Sequence, residues 1–234
     1  MSKSAVLLGV LLCLVMFSTA CAAESSVFAE RESAELAPLP PPEPDGGPFG
    51  VDTNINMSTI DNFLGRTDVA YIDARMLHDP ADFAAIGGLA SLTRTLPGFR
   101  IVPFPFLGTL DRMPVSGAYD GITLFDIVWG ENRQIISYSP NFVEAEMILR
   151  DLFPKDKAIF VMCGGAGYSA HVRAMLVHMG WDASKIYNVG GNWYYEGDMA
   201  IDLTIPGQDY NIATWRVDYT FIDFDRLTSV SVRK

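Results

Sequence analysis

Seven consecutive residues carry the groups in this sequence that are best suited to chemistry. Cys163 comes first, and the residues after it are Gly164, Gly165, Ala166, Gly167, Tyr168 and Ser169. Three closely spaced glycines let the backbone curl so that several amide N–H groups point at one place, which favours an anion. A helix that begins here adds positive potential through its dipole. We therefore expect a lowered pKa for Cys163 and a populated thiolate, which is the nucleophilic form.

Cysteine usage leaves Cys163 without a thiol partner in the predicted domain. The chain has three cysteines, and the other two, Cys13 and Cys21, lie near the amino terminus. A lone thiol is either used for chemistry or packed as a small hydrophobic side chain. The glycine-rich residues beside Cys163 favour chemistry.

Three short apolar runs predict the strands that position this thiol. They cover residues 69–73, 158–162 and 186–189, and helical patterns lie between them. Short buried strands that alternate with helices are typical of an α/β fold with a mostly parallel sheet. Cys163 then lies at the carboxyl end of a strand, where α/β proteins bind their ligands.

Two helices are predicted around the second of these strands. The first covers residues 141–153, with Ser139 as its N-cap, Pro140 in its first turn and Pro154 after its end. The second covers residues 169–179 and ends at Gly180. The predicted core-facing residues are Phe142, Ala145, Ile148, Leu149, Leu152, Met175, Leu176 and Met179.

Residues 84–140 are predicted to be a long insertion that is largely loop, because Gly and Pro interrupt them repeatedly. The insertion is either a lid that shapes access to the site or a decoration that thickens the domain. Within it, residues 122–129 and 134–138 are expected to pair as a hairpin. Residues 201–234 are expected to form a β-rich extension, since apolar and polar residues alternate over 215–221.

The amino terminus has the features of an exported protein. Lys3 precedes thirteen apolar or small residues, too few to span a bilayer comfortably, which predicts a signal peptide over residues 1–20. Cys21 follows Ser18-Thr19-Ala20, a pattern similar to a bacterial lipobox, and is predicted to be lipidated. Ordinary cleavage after Ala22 or Ala23 is the alternative.

A domain over residues 51–200 is predicted to follow a tether. Residues 21–50 are rich in Pro and Glu, a composition that disfavours a packed core and favours an extended, semi-rigid spacer. We expect this spacer to hold the domain away from a lipid anchor on Cys21, in the bacterial cell envelope or periplasm.

Charge and residue usage exclude several classes of function. The chain has 17 basic and 28 acidic side chains and a net charge of −11, so nucleic acid is not an expected partner. The histidines are His78, His171 and His178, and the last two are interpreted as ordinary helix residues because zinc pairs on a helix prefer i, i+4 spacing. No metal or other cofactor is predicted, and a loop without arginine argues against phosphate ester hydrolysis.

Three blocks of the sequence together resemble the rhodanese family. They are Tyr71-Ile72-Asp73-Ala74-Arg75, the loop that begins at Cys163, and Asn188-Val189-Gly190-Gly191-Asn192-Trp193, in the order found in the family. The resemblance covers about residues 52–197 and implies a three-layer fold with a central, mostly parallel sheet flanked by helices. It also implies that Cys163 is the catalytic residue of a sulfurtransferase and carries sulfane sulfur as a persulfide, with residues 164–169 binding the substrate.

The resemblance further implies a small sulfur donor such as thiosulfate and an acceptor that is cyanide or a thiol, including an exported thiol protein. Many active members have Arg at the sixth loop position, where it helps to bind an anionic donor, and this chain has Tyr168 there. For Asp73 and Arg75 we favour a buried charge pair that anchors strand to loop over direct chemistry. Trp193 is interpreted as core or pocket wall.

Two other interpretations of the same residues stay open. One is a catalytically silent rhodanese-fold module that binds a partner or a small anion at the cell envelope. The other is a relay in which Cys163 exchanges sulfur with another exported thiol protein. A binding module tolerates Cys163→Ser, whereas a sulfurtransferase does not, because the domain offers no other acceptor for sulfur.

Overall fold

The apolar runs of the sequence form a parallel sheet at the centre of the molecule. The structure is a computed structural model that describes residues 36–75, 94–111, 121–202, 220 and 222–230. The strands are β1 (Val69–Asp73), β2 (Arg94–Thr95), β3 (Arg100–Ile101), β4 (Phe125–Trp129), β5 (Ile135–Pro140), β6 (Ala158–Cys163), β7 (Ile186–Gly191) and β8 (Ile201–Asp202). The α-helices are α1 (Phe104–Leu107), α2 (Ala145–Leu152) and α3 (Gly167–His178), and 3-10 turns cover Ile60–Phe63, Ala183–Lys185, Asn192–Tyr194 and Phe224–Arg226.

The central sheet has the strand order β3-β1-β6-β7, and its neighbouring strands are all parallel. β6 and β7 are almost wholly buried, which explains why they read as continuous apolar runs rather than as alternating ones. Helix α3 packs on both of these strands. The predicted α/β class with a mostly parallel sheet is therefore confirmed, and the three predicted strands are present.

The predicted hairpin is present, but helix α2 begins later than predicted. β4 and β5 pair in antiparallel register, and Asp126 lies opposite Ser139. Because Ser139 and Pro140 belong to the hairpin, they are not available as N-cap and first turn, and the helix begins at Ala145 instead of at 141. Helix α3 covers Gly167–His178 and is followed by Gly180 at a φ of +86°, close to the prediction.

The prediction that residues 84–140 are largely loop is wrong for part of the described insertion. β3 pairs with β1 and so adds an edge strand to the central sheet. The next residues form α1, in which all four side chains are buried, including Phe104. A two-residue strand and a one-turn helix are too short to give a detectable periodicity. Pro103 and Pro105 also favoured a loop, because proline is a typical loop residue.

Residues 36–50 lie against the domain. Tyr187 in β7 donates its hydroxyl proton to the carbonyl oxygen of Pro40 at 2.7 Å, and the side-chain amide of Asn188 donates to the carbonyl of Phe49 at 2.9 Å. The segment therefore contacts β7, which is an outer strand of the central sheet.

The spacer predicted for residues 21–50 is accordingly not found where the structure describes that range. Composition indicated correctly that the segment has no core of its own. It did not indicate that an extended Pro-rich backbone offers carbonyl groups to side-chain donors on a neighbouring strand. The signal peptide over 1–20, Cys21 and the rest of the predicted spacer lie outside the described residues.

The predicted C-terminal extension is described only in pieces. β8 pairs with β2 in antiparallel register, and the amide of Thr220 donates to the carbonyl of Ile101 at 2.8 Å. The alternating pattern over 215–221 lies outside the described residues except for Thr220. Within the described part of the chain, no helix has the length and apolarity needed to cross a membrane.

Candidate functional site

The loop after β6 turns the chain from the central sheet into helix α3. Cys163 is the last residue of β6 and lies opposite Gly191 of β7. Ala166 precedes the helix in the left-handed region, with a φ of 70°. This geometry tightens the turn so that the first amides of α3 face back toward the end of β6, where Cys163 lies.

The sulfur of Cys163 is surrounded by hydrogen-bond donors. The backbone amides of Tyr168 and Ser169 act on it in the direction that lowers the pKa of the thiol. The Ser169 hydroxyl lies 3.7 Å from Cys163 Sγ and 3.0 Å from the carbonyl oxygen of Ala166. One hydroxyl has one proton, so Ser169 donates to the sulfur or to the carbonyl but not fully to both. The predicted cradle of amides thus exists around Cys163.

These donors do not make Cys163 a thiolate, although the sequence predicts one. Cys163 is only 3% exposed, and burial raises the pKa of its thiol, because a charged sulfur loses its hydration. The donors from Ser169 and Tyr168 oppose that effect, and the Asp73 carboxylate adds to it. The prediction of a lowered pKa is therefore wrong, because no local pattern of residues indicates how deeply the strand end is buried.

Close backbone contacts explain the glycines of the loop and of β7. A Cβ on Gly191 would lie 2.8 Å from Gly165 Cα and closer still to the carbonyl oxygen of Gly164. A Cβ on Gly164 would lie 2.8 Å from the indole of Trp193. Gly191 in β7 therefore provides the surface against which the loop after Cys163 packs.

Trp193 covers the outer side of the loop. Its indole lies over Gly164 and Gly165, and its backbone amide donates to the carbonyl of Gly164 at 3.1 Å. The side chain is 47% exposed, so the interpretation of Trp193 as core is wrong and its position is that of a wall. Adjacent Tyr194 is also exposed.

Asp73 and Arg75 form a buried ion pair. Arg75 Nη2 lies 2.5 Å from Asp73 Oδ2, with the side chains 3% and 0% exposed. Further bonds satisfy the pair: Thr95 Oγ1 donates to Asp73, and Arg75 donates to Asn192 Oδ1 and to the carbonyl of Arg94. This matches the predicted charge pair and ties β1, β2 and the turn after β7 together beside the loop.

An aromatic cluster lies beside the start of α3. The ring of His171 stacks on Phe104 at 5.3 Å and meets Trp129 edge-on at 4.7 Å, and the ring of Tyr168 lies 6.0 Å from Phe104. Burial lowers the pKa of His171, and the Asp111 carboxylate, 3.2 Å from Nε2, partly offsets that effect. His171 is therefore a buried residue whose ring packs against other aromatic rings.

Sequence reasoning missed the residues that the insertion and the C-terminal part of the domain bring to the site. Thr95 and Asn192 complete the Asp73–Arg75 network, and Asp111 links α3 to Arg133, 3.5 Å from its other carboxylate oxygen. Thr95 and Asp111 lie outside every motif, and Asn192 lies in the third block of the resemblance without a role of its own there. The left-handed φ of 58° at Arg133 is the kind of feature that only a backbone reveals.

Comparison with known proteins gives no second source of information. No family model, no curated protein and no solved structure matches the chain. Among the described residues, no three His, Cys, Asp or Glu side chains are grouped so that they could hold a metal ion. The geometry around Cys163 is therefore the basis on which a function is inferred.

Proposed function

We propose that this chain is an exported, rhodanese-like sulfurtransferase that carries sulfane sulfur as a persulfide on Cys163. The observation that supports this most directly is the orientation of two amides and a serine hydroxyl toward Cys163 Sγ at the carboxyl end of a central parallel strand. Donors aimed at one sulfur stabilise negative charge there. A buried structural thiol does not need them.

The reaction has two steps that balance in atoms and charge. The Cys163 thiolate attacks the outer sulfur of the donor, a bond forms between the two sulfurs, and the donor's own bond to that sulfur breaks with its electron pair on the leaving group. In the second step, cyanide or a thiolate takes the outer sulfur from the persulfide and returns Cys163 as a thiolate. No oxidant or reductant is consumed.

The loop has a defined part in these steps. The terminal sulfur of a persulfide carries the negative charge, and amides at the start of α3 favour an anion in that region. The Ser169 hydroxyl can rotate so that it donates its hydrogen bond either to the Ala166 carbonyl or to the sulfur. It can therefore stabilise negative charge on the thiolate and then on the persulfide. The buried Asp73–Arg75 pair holds the neighbouring strand end in position.

The second candidate is a catalytically silent module that binds a small anion or a partner with the same loop. The burial of Cys163 favours this alternative, because a thiol with a raised pKa is a poor nucleophile at neutral pH. The two candidates differ in whether Cys163 ever takes up sulfur.

Intact-protein mass spectrometry tests the proposal. The purified protein is reduced, incubated separately with thiosulfate, mercaptopyruvate and inorganic polysulfide, and then treated with cyanide. We expect a gain of one sulfur atom that cyanide removes. The gain is absent in Cys163→Ser and present in Cys21→Ser, the matched control that replaces a cysteine outside the proposed site. No gain with any donor would overturn the sulfurtransferase and support the binding module.

Lipid attachment at Cys21 and a location in the cell envelope are part of the same proposal. They depend on the sequence pattern at residues 18–21. Metabolic labelling with a fatty-acid analogue is expected to mark the wild-type protein and not Cys21→Ser. Unlabelled wild-type protein in a lipoprotein-processing bacterial host would instead support cleavage after Ala22 or Ala23.

A further inference from the structure

Two aromatic side chains are exposed directly beside the cysteine loop. Trp193 is 47% exposed and Tyr194 is 69% exposed, although both belong to an ordered 3-10 turn at the end of β7. The Trp193 indole contacts Gly164 and Gly165 and leaves the rest of its surface to solvent. Exposed aromatic rings that lie together are typical of surfaces that bind a partner.

Hydrogen bonds hold the turn that carries these rings. The Trp193 amide donates to the carbonyl of Gly164 at 3.1 Å, and the Tyr195 amide donates to the carbonyl of Asn192 at 3.1 Å. The Asn192 side chain in turn accepts from the buried guanidinium of Arg75 at 3.3 Å. A partner that binds to these rings therefore does not have to order the backbone that presents them, which lowers the entropy cost of binding.

Three exposed carboxylates lie in and against the same segment of chain. Glu196 and Asp198 follow the two rings in sequence, and Asp61 comes from the 3-10 turn before β1. The Tyr195 hydroxyl donates to Asp61 Oδ1 at 2.7 Å and accepts the amide of Met199 at 2.9 Å. These two bonds bring Asp61 next to the backbone that carries Asp198.

The three carboxylates are not neutralised by the chain itself. In the part of the chain that the structure describes, Asp61, Glu196 and Asp198 form no ion pair, whereas Asp73 and Asp111 near the loop are both paired. Their negative charge therefore faces solvent beside the exposed rings. Salt screens exposed charges within about 8 Å, so this charge selects what makes direct contact with the surface.

The arginine side chain complements both parts of this surface. Its planar guanidinium stacks on aromatic rings and also bonds to carboxylates through two parallel N–H groups. Lysine pairs with carboxylates but stacks less well on a ring. An apolar partner would leave three carboxylates without water and without a counter-charge, and an anionic partner would be repelled.

We propose that the rings of Trp193 and Tyr194 and the three carboxylates beside them form a docking surface for an arginine-rich segment of a partner protein. Because Trp193 covers the loop after Cys163, a partner that docks here lies next to that loop. The docking surface goes beyond the proposed function, since it would serve a sulfur carrier and a silent binding module equally.

Peptide binding to the purified full chain tests the docking surface. Fluorescence anisotropy is measured at about 0.15 M salt with the labelled peptide Gly-Arg-Gly-Arg-Gly-Arg-Gly and with its Lys and Glu counterparts. We expect saturable binding of the Arg peptide, binding of the Lys peptide that is at least about threefold weaker, and no binding of the Glu peptide. No saturable binding of the Arg peptide would overturn the proposal.

Two double variants separate this surface from the overall negative charge of the chain. Glu196→Lys with Asp198→Lys changes the docking surface, and Asp151→Lys with Asp156→Lys changes the net charge equally at exposed positions that precede β6. We expect the first pair to weaken binding of the Arg peptide at least about tenfold more than the second, because it replaces attraction by repulsion at the point of contact. Thermal unfolding checks that each variant is folded.

Tyr194→Ser tests the part that the rings play. The side chain is mostly exposed, so the substitution is expected to leave folding intact and to weaken binding of the Arg peptide about fivefold through the loss of one stacked ring. Unchanged binding in Tyr194→Ser, together with a Lys peptide that binds as tightly as the Arg peptide, would overturn recognition of arginine by the rings.

Equal weakening in the two double variants would mean that net charge alone attracts the peptide, and it would overturn the docking surface. Sulfur uptake by Cys163 is measured separately, by mass spectrometry. Its absence would overturn the proposed function and leave the docking surface in place.

Discussion

Gly191→Ala is expected to distort the cysteine loop without changing a residue of the loop. Gly191 has a φ of −115°, which any residue adopts, so the substitution introduces no backbone strain and acts only through its added methyl group. That methyl would lie 2.8 Å from Gly165 Cα, about 0.6 Å short of the 3.4 Å of ordinary contact, and closer still to the carbonyl of Gly164. Backbone atoms cannot rotate away as a flexible side chain can, so the loop has to move.

The size of the effect follows from the packing. Overpacking of this kind costs about 1–3 kcal/mol, which lowers the urea midpoint of unfolding by about 1 M when the denaturant slope is about 2 kcal/mol per M. The loop movement displaces the amides that face Cys163, so we also expect sulfur uptake to slow by about tenfold, the loss of one hydrogen bond to a charged sulfur.

Gly46→Ala is the matched control, because a Cβ there has no atom within 4 Å. Urea unfolding and the rate of sulfur uptake are measured for both variants and for the wild type. If Gly191→Ala unfolds at the same urea concentration as Gly46→Ala and takes up sulfur at the same rate, the loop does not rest on β7 as described.

Three further predictions concern the thiol and its neighbours. Because burial raises the pKa of Cys163, the rate of its alkylation by iodoacetamide should rise with pH mainly above the free-thiol value of about 8.5. The stability that this group contributes is complete below that pH and is lost as pH rises through the folded-state pKa. Above about pH 8.5, wild type and Cys163→Ser should therefore differ in the slope of unfolding free energy against pH. A rate that levels off below about pH 7 would contradict the effect of burial. Ser169→Ala removes a hydrogen bond that lowers the pKa of Cys163, so alkylation at pH 8 should slow about fivefold relative to wild type. An unchanged rate would mean that the Ser169 hydroxyl donates to the Ala166 carbonyl and not to the sulfur. Asp73→Asn leaves the buried Arg75 charge without its carboxylate and should cost about 3–5 kcal/mol in chemical unfolding. Asp182→Asn, at an exposed turn, is the control and should cost much less; equal losses in the two would refute a buried pair.

The parts of the fold that the sequence predicted are those in which one element has a pattern of its own. Residues 69–72 and 158–162 lie in strands that are buried on both faces, and this burial is visible as an uninterrupted apolar run. β3 has only two residues and joins the sheet because β1 lies beside it. A pairing that depends on a neighbour distant in sequence leaves no local signal.

The candidate site shows the same division. The glycines and the cysteine of the loop are contiguous, so their geometry was predictable, and the amides do face Cys163. The pKa of Cys163 was not predictable, because it depends on how completely other elements cover the strand end. Residues such as Thr95, Asn192 and Asp111 reach the site from three separate segments, and no spacing rule connects them.

The contact between residues 36–50 and β7 bears on the exposed edge of the central sheet. β7 is the last strand on its side of the sheet, and an uncovered edge strand presents unpaired N–H and C=O groups to other chains. Asp52 donates its amide to the carbonyl of Asn188 at 2.8 Å. The chain before it turns back on itself, because the amides of Asp45 and Thr53 donate to the carbonyls of Val51 and Glu43, and its further contacts with β7 are the side-chain bonds from Tyr187 and Asn188. A truncation near residue 51 would remove this turn and both side-chain contacts, and so leave more of the β7 edge open to pairing with another chain. The Pro-rich stretch that composition marks as dispensable thus covers part of a sheet edge.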